Sequence, residues 1–225
     1  MKVTTTLIIL NVLGFMIELL VGGPGIASGS DGTGMQRVLE LGGLSPSSVL
    51  VAGQWWRILT SAFLHAGLLH IGVNMVSLWS LGRFIEWAVG PVKMLAIYAV
   101  SLVVSGLGVV FLSAPAYANV GTVGASGAIF GLFGALFAIG LKLGKPGMQM
   151  VRANIGILVV NIFISLLPGI SWQAHLSGAI AGFVLAYAIY YPPRRVAPVV
   201  VDATTGAELE TEYQPPNDPN PRARA

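Results

Sequence analysis

The chain has 225 residues, of which 55% are hydrophobic and 9% charged, with 29 glycines and a formal net charge of +3; its mean hydropathy is +0.79. A soluble domain carries about a quarter charged residues, so this balance excludes an ordinary soluble globule and excludes disorder over most of the length. With no cysteine and three histidines, the chain excludes disulfides, Cys-ligated zinc, iron–sulfur clusters and a thiol nucleophile, and leaves little room for metal chemistry.

Six charge-poor stretches reach or approach the roughly 20 residues that a helix needs to cross a bilayer. They run over about 3–21, 66–88, 93–113, 124–141, 152–168 and 172–191. No alternating strand pattern accompanies them, and backbone groups must be paired within lipid, so the fold class expected is all-α, a polytopic bundle of six transmembrane helices. The first stretch is too long for a signal-peptide core, carries Asn11 and Glu18, and is followed by no clear small-x-small cleavage site, so it reads as a retained span. The loop from about 22 to 65 opens with a Gly-rich segment and closes with Trp55-Trp56-Arg57, a pattern suited to the membrane interface, where paired tryptophans act as belt anchors. Arg83 and Glu86, three apart at the inner end of the second span, read as an interfacial pair, and Glu18 as a snorkelling or hydrogen-bonded structural residue.

The domain boundary falls near 195. Residues 1–195 form the membrane body, and the Pro-rich stretch 196–225, with Asp202, Glu208, Glu210, Glu212 and Asp218 against Arg222 and Arg224, reads as a disordered acidic tail. The body is then left with ten basic residues against four acidic ones, an excess that suits anionic lipid headgroups; no basic patch interleaved with aromatics points to nucleic acid. Lys2, Lys93, Lys142, Lys145, Arg152, Arg194 and Arg195 fall on one side of the six spans, and only Arg37 and Arg57 on the other. Positive residues stay inside, so both termini are placed in the cytoplasm and the second, fourth and sixth spans run from outside to inside.

Polar residues are expensive in a membrane, and their placement is informative. His65 and His70 sit at the outer start of the second span, Ser126 at the outer start of the fourth, and His175 three residues into the sixth. His70 and Asn74 are four apart and share a helix face. A serine hydroxyl becomes a nucleophile when a neighbouring base takes its proton, and His175 is the base left free if His70 and Asn74 face the developing charge. The start of the fourth span offers unpaired backbone N–H groups toward an oxyanion, which His70 and Asn74 would complete. No Asp or Glu lies in the outer halves of the second, fourth or sixth spans, so the pattern is a Ser126–His175 dyad with no third acidic member. Gly127, Gly131 and Gly134 form a small-residue stripe and Gly178-Ala179-Ile180-Ala181-Gly182 a GxxxG string; both suit close helix packing, whether or not the site is catalytic.

These residues resemble the rhomboid intramembrane serine proteases in their minimal six-helix, prokaryotic form, and the resemblance runs through 1–195. Trp56-Arg57 is similar to the Trp-Arg of the family's first loop, and His65 to Asn74 to its His-x4-His-x3-Asn motif. Gly124-Ala125-Ser126-Gly127 is similar to its nucleophile motif, and Ala174-His175-Leu176-Ser177-Gly178 to its Ala-His-x-x-Gly. The resemblance implies a cofactor-free, metal-free serine endopeptidase in a prokaryotic plasma membrane, with Ser126 as nucleophile and His175 as base in a water-filled cavity open to the outside. It implies an oxyanion hole made by His70, Asn74 and the Ser126 N–H, and a supporting set of Gly124, Gly127, Gly178 and His65. Phe130 stands where many relatives carry a Tyr that stacks on the catalytic His; the ring is kept and the hydroxyl is absent. The partners implied are membrane lipids and transmembrane-helix protein substrates. Two other classes stand beside this reading. A catalytically inactive rhomboid-like protein that binds membrane clients would lack Ser126 or His175. A small transporter or channel would carry polar residues across the bilayer, where only Asn11 and Asn161 qualify, and would show internal repeats.

Overall fold

The structure, a computed structural model, describes residues 1–29, 31–165, 169–192, 200–201 and 208–209. Among the described residues, five helices are long and apolar enough to cross a membrane: α1 (Lys2–Gly22), α5 (Leu68–Val89), α6 (Pro91–Leu112), α7 (Ser126–Leu143) and α10 (Trp172–Ile189). Three short helices lie between α1 and α5, namely α2 (Gly32–Gly42), α3 (Pro46–Leu50) and α4 (Arg57–Thr60). The pair α8 (Lys145–Ala153) and α9 (Ile155–Ser165) meets at a 54° bend and brings the spans to six when taken as one.

Helix α1 shows how such a bundle inverts the pattern of a soluble protein. Its buried stripe is Thr4, Leu7, Asn11, Phe15, Glu18 and Gly22, spaced three or four apart, so polar side chains point inward. Leu10, Leu13, Met16, Ile17 and Leu20 are exposed, as suits a lipid-facing side. Helix α7 is the centre of the bundle. It buries Gly127 to Leu136 without interruption and then Ala138, Ile139 and Gly140, and it packs against α5, α6 and α10.

The closest approach joins α7 to α10. A methyl carbon added to Gly178 would collide with the Gly127 carbonyl oxygen, one on Gly182 with that of Gly131, and one on Gly134 with that of Ala179. Backbone therefore meets backbone along three turns, which only small residues permit. Helix α6 seals the neighbouring side, with Ser105 against Gly127 and Ser101 against Gly131.

Two sequence expectations are corrected. The stretch 152–168, expected as one continuous span, is broken at Asn154, whose side-chain amide donates to the Met150 carbonyl at 3.0 Å and whose own N–H bonds back to Val151, closing off α8. Residues 166–168 of that expected span lie outside the described residues. Arg83 and Glu86 do not pair with each other. Glu86 instead accepts from the N–H groups of Val3 and Thr4 at 3.1 and 2.9 Å and from the Thr4 hydroxyl at 2.7 Å. The first turn of a helix carries unsatisfied donors and positive partial charge, which makes it a good partner for a carboxylate. Arg83 lies over the Trp79 ring, 4.4 Å from its centre.

The loop expected between the first two spans is ordered by its own polar groups. Asp31 caps α2 by accepting from Thr33 and Gly34, and Ser45 and Ser48 form a reciprocal capping box at α3. Arg57 donates to the carbonyls of Leu39, Glu40 and Gly43 at 2.7 to 2.8 Å and also bonds Gln54. Trp55 and Trp56 stay exposed. Leu44 and Thr122 exchange two backbone hydrogen bonds, at 3.0 and 2.7 Å, which fastens this region to the segment entering α7.

Residues 191–225 separate from this body as a second unit. Its described residues include two short antiparallel strands, β1 (Val200–Val201) and β2 (Glu208–Leu209), with Val200 opposite Leu209. Most of the stretch expected to be disordered, 196–225, lies outside the described residues.

Candidate active site

Ser126 is the first residue of α7, and the chain reaches it through Gly124, whose φ of 122° favours glycine. Close packing demands glycine there as well, because a Cβ on Gly124 would come within 2.9 Å of the His70 ring. The Gly124 N–H donates to the Ser61 carbonyl at 2.8 Å, pinning the turn. At the first position of its helix, the Ser126 amide belongs to the set of N–H groups with no acceptor inside the helix.

His175 sits in the first turn of α10, buried, beneath the cap that Ser171 makes by accepting from the Ala174 N–H. Its Nε2 lies 2.7 Å from Ser126 Oγ. Its ring stacks on Phe130, with centroids 4.3 Å apart and planes 12° from parallel, so a phenyl ring fills this place without a hydroxyl. Its Nδ1 lies 2.7 Å from Ser165 Oγ at the end of α9. The α7–α10 approach at Gly178 and Gly127 is what lets two side chains on separate helices come within hydrogen-bond reach.

His70 and Asn74 lie on the facing side, on α5. The Ala66 N–H donates to His70 Nδ1 at 3.1 Å. A neutral imidazole has one N–H, so this bond leaves the hydrogen on Nε2, the atom turned toward Gly124. Asn74 is 2% exposed and spends one side-chain N–H on the His70 carbonyl, at 3.1 Å. A cavity of about 530 Å³ is lined by Ser126, His175, His70, Asn74, Phe130 and Gly124, among others. His70 and Asn74 thus line the same cavity as Ser126 and His175.

His65 differs from these. It is fully buried, and its ring meets that of His70 edge-on at 5.3 Å. Burial, with a smaller push from His70, holds its pKa down at about 3, so it stays neutral. Its backbone N–H donates to both oxygens of Glu18 at 2.9 Å, which ties the second histidine-bearing segment to α1. Glu18, expected to snorkel or to hydrogen-bond, is fully buried and does the latter.

Sequence reasoning missed Ser165. The signal available was a small hydroxyl residue near the outer end of the fifth span, at the depth already assigned to His175. It also missed what Arg57 holds, because its acceptors are backbone carbonyls without a side-chain signature.

Known proteins are similar to the chain over most of its length. The family model described as the Rhomboid domain matches residues 52–192. The chain is 35% identical over 153 residues to Rhomboid protease GluP of Bacillus subtilis, covering 67% of this chain and 29% of that protein. It is 30% identical over 180 residues to the mitochondrial RHOMBOID-like protein 6 of Arabidopsis thaliana, covering 78% of this chain and 57% of that one. It is 27% identical over 220 residues to Rhomboid protease AarA of Providencia stuartii, with 86% and 74% covered. The match thus spans under a third of GluP and little more than half of the Arabidopsis protein.

Proposed function

The chain belongs to the rhomboid family, and on that footing we propose that it is an intramembrane serine endopeptidase, hydrolysing peptide bonds in or near transmembrane helices of other membrane proteins. The observation that carries this is the 2.7 Å contact between Ser126 Oγ and His175 Nε2 at the wall of a cavity. Such a contact is what nucleophilic catalysis by serine needs.

The reading runs through these steps. As Ser126 Oγ bonds to the scissile carbonyl carbon, its proton passes to His175 Nε2 and the carbonyl electron pair moves onto oxygen. The Ser126 N–H, the His70 Nε2–H and the Asn74 amide are the donors that stabilise this oxyanion. His175 then returns the proton to the leaving amine, which departs as the carbonyl reforms, and an acyl-enzyme remains on Ser126. Water, deprotonated by His175, repeats the sequence in reverse order and frees the serine. Gly124, Gly127 and Gly178 serve by allowing close approach, Phe130 by supporting the imidazole face, and His65 by packing beside His70.

The same reading places the chain as a multi-pass protein of a prokaryotic plasma membrane, with a body of 1–195, a tail of 196–225, cytoplasmic termini and a cavity facing outward. The skew of Lys and Arg between loops supports it. In the natural Cys-free chain, Ser28→Cys then reacts with an impermeant maleimide added to intact cells and Gln149→Cys, at an exposed position of α8, does not; the opposite pattern reverses the orientation. A fluorophosphonate probe tests the chemistry. It labels the full chain in membranes and fails to label Ser126→Ala, whereas an unlabelled natural chain would favour the client-binding reading.

A further inference from the structure

The hydroxyl of Ser165 is placed between two partners. It lies 2.7 Å from the carbonyl of Asn161, one turn back on α9, and 2.7 Å from His175 Nδ1. The carbonyl only accepts, so the single hydroxyl hydrogen of Ser165 is committed to Asn161. The contact with His175 must then run the other way, with Nδ1–H donating to Ser165 Oγ. A neutral imidazole has one N–H, so Nε2 is left bare and faces Ser126 as an acceptor.

We propose that Ser165 is a positioning residue that fixes the tautomer of His175, in the place where a triad carries an acid. This rests on the Ser126–His175 reading above. The hydroxyl is neutral, so it orients the ring without a counter-charge. When the Ser126 proton moves to Nε2, the imidazolium keeps its Nδ1–H on Ser165, and Ser165 gives up no proton. The device depends on where α9 stands. Asn161 is the one residue of α9 that is buried, and its side-chain amide donates to Ser77 Oγ of α5 at 3.0 Å. Ser165 therefore reaches His175 from a helix held to α5 by a polar bond.

The test uses the full chain in lipid nanodiscs with ring-15N histidine, where only three rings contribute. The natural chain shows His175 protonated at Nδ1 and bare at Nε2. Ser165→Ala and Ser165→Val shift this ring toward the Nε2–H form, and Ser165→Thr restores the natural pattern. In parallel, saturation kinetics with the fluorophosphonate probe show the maximal rate of Ser126 labelling falling roughly three- to tenfold in Ser165→Ala, about the worth of one hydrogen bond. The half-saturating probe concentration stays unchanged. The threonine variant regains the rate and the valine variant, its isostere, does not. If the natural chain is not labelled at Ser126, the dyad reading falls. If it is labelled and Ser165→Val keeps both the natural rate and the natural ring pattern, the role of Ser165 alone is overturned.

Discussion

Helices α7 and α10 on one side and α9 on the other hold the two nitrogens of the same imidazole by different means. Between α7 and α10 the backbones touch at Gly127–Gly178 and Gly131–Gly182, so the separation of Ser126 and His175 is set by main chain that has no room to shift. Helix α9 buries Asn161 and exposes Val159, Val160, Ile162 and Phe163, and its hold on His175 is one hydroxyl. The lesson is that a distance and an orientation can be assigned to different parts of a fold. Close packing fixes how far apart the groups are, while a loosely packed element decides which nitrogen carries the hydrogen.

The largest effects are expected on the rigid side. Ser126→Ala and His175→Ala each abolish cleavage of a transmembrane substrate, a loss on the order of 10⁶-fold in soluble serine proteases, and the double variant is no worse than either single one. Rates measured across pH fall as the medium is acidified through the His175 pKa, because the imidazolium has no lone pair with which to accept the serine proton. Additive losses in the double variant would mean that the two residues do not act as a unit.

Asn74→Ala comes next. Removing one oxyanion donor lowers turnover by about a hundred- to a thousandfold, while thermal unfolding in detergent changes little, since the hydrogen bond of the Asn74 side chain is local, to the His70 carbonyl one turn back on the same helix. Turnover near the natural level would remove Asn74 from the site. The smallest and most direct comparison sets Gly178→Ala against Gly156→Ala. A methyl on Gly178 meets the Gly127 carbonyl, whereas one on Gly156, in α9, meets nothing within 4 Å. Overpacking lowers stability by about 1–3 kcal/mol in the first case. In the second, the better helix propensity of alanine gives a gain of at most about 1 kcal/mol. Equal melting temperatures for the two variants would break the contrast between the seams.

Much of the candidate site's layout was legible because polar residues are so few in this chain. His70, Asn74, Ser126 and His175 stand out against an apolar background at matching depths, and the glycine strings announce the α7–α10 approach. What stayed hidden has physical causes. Serine is common and small, so the depth of Ser165 is a weak mark until the fold brings it to Nδ1. Arg83 and Glu86 have the spacing of a helical ion pair, but the first turn of α1, distant in sequence, offers Glu86 several donors at once. The break at Asn154 lies two residues inside the expected span, where its side chain bonds the Met150 carbonyl, and the largely apolar run from Ile155 onward hid it. Arg57 reads as an interface residue beside two tryptophans, although its guanidinium closes the carbonyl end of α2.

The pair of hydrogen bonds between Leu44 and Thr122 has a bearing on the order of events during synthesis. Two whole spans, α5 and α6, are made after Leu44 emerges and before Thr122 does. Translation proceeds at about 5–20 residues per second, so the region around Leu44 waits several seconds for its partner. Its own caps at Asp31 and Ser45 and the Arg57 bonds to α2 can form locally in that interval. The strand-like segment that delivers Ser126 then docks onto a prepared edge. The serine acquires its surroundings only after the two intervening spans have been produced, and His175 arrives later still, so the contact between Ser126 and His175 is among the last that synthesis permits.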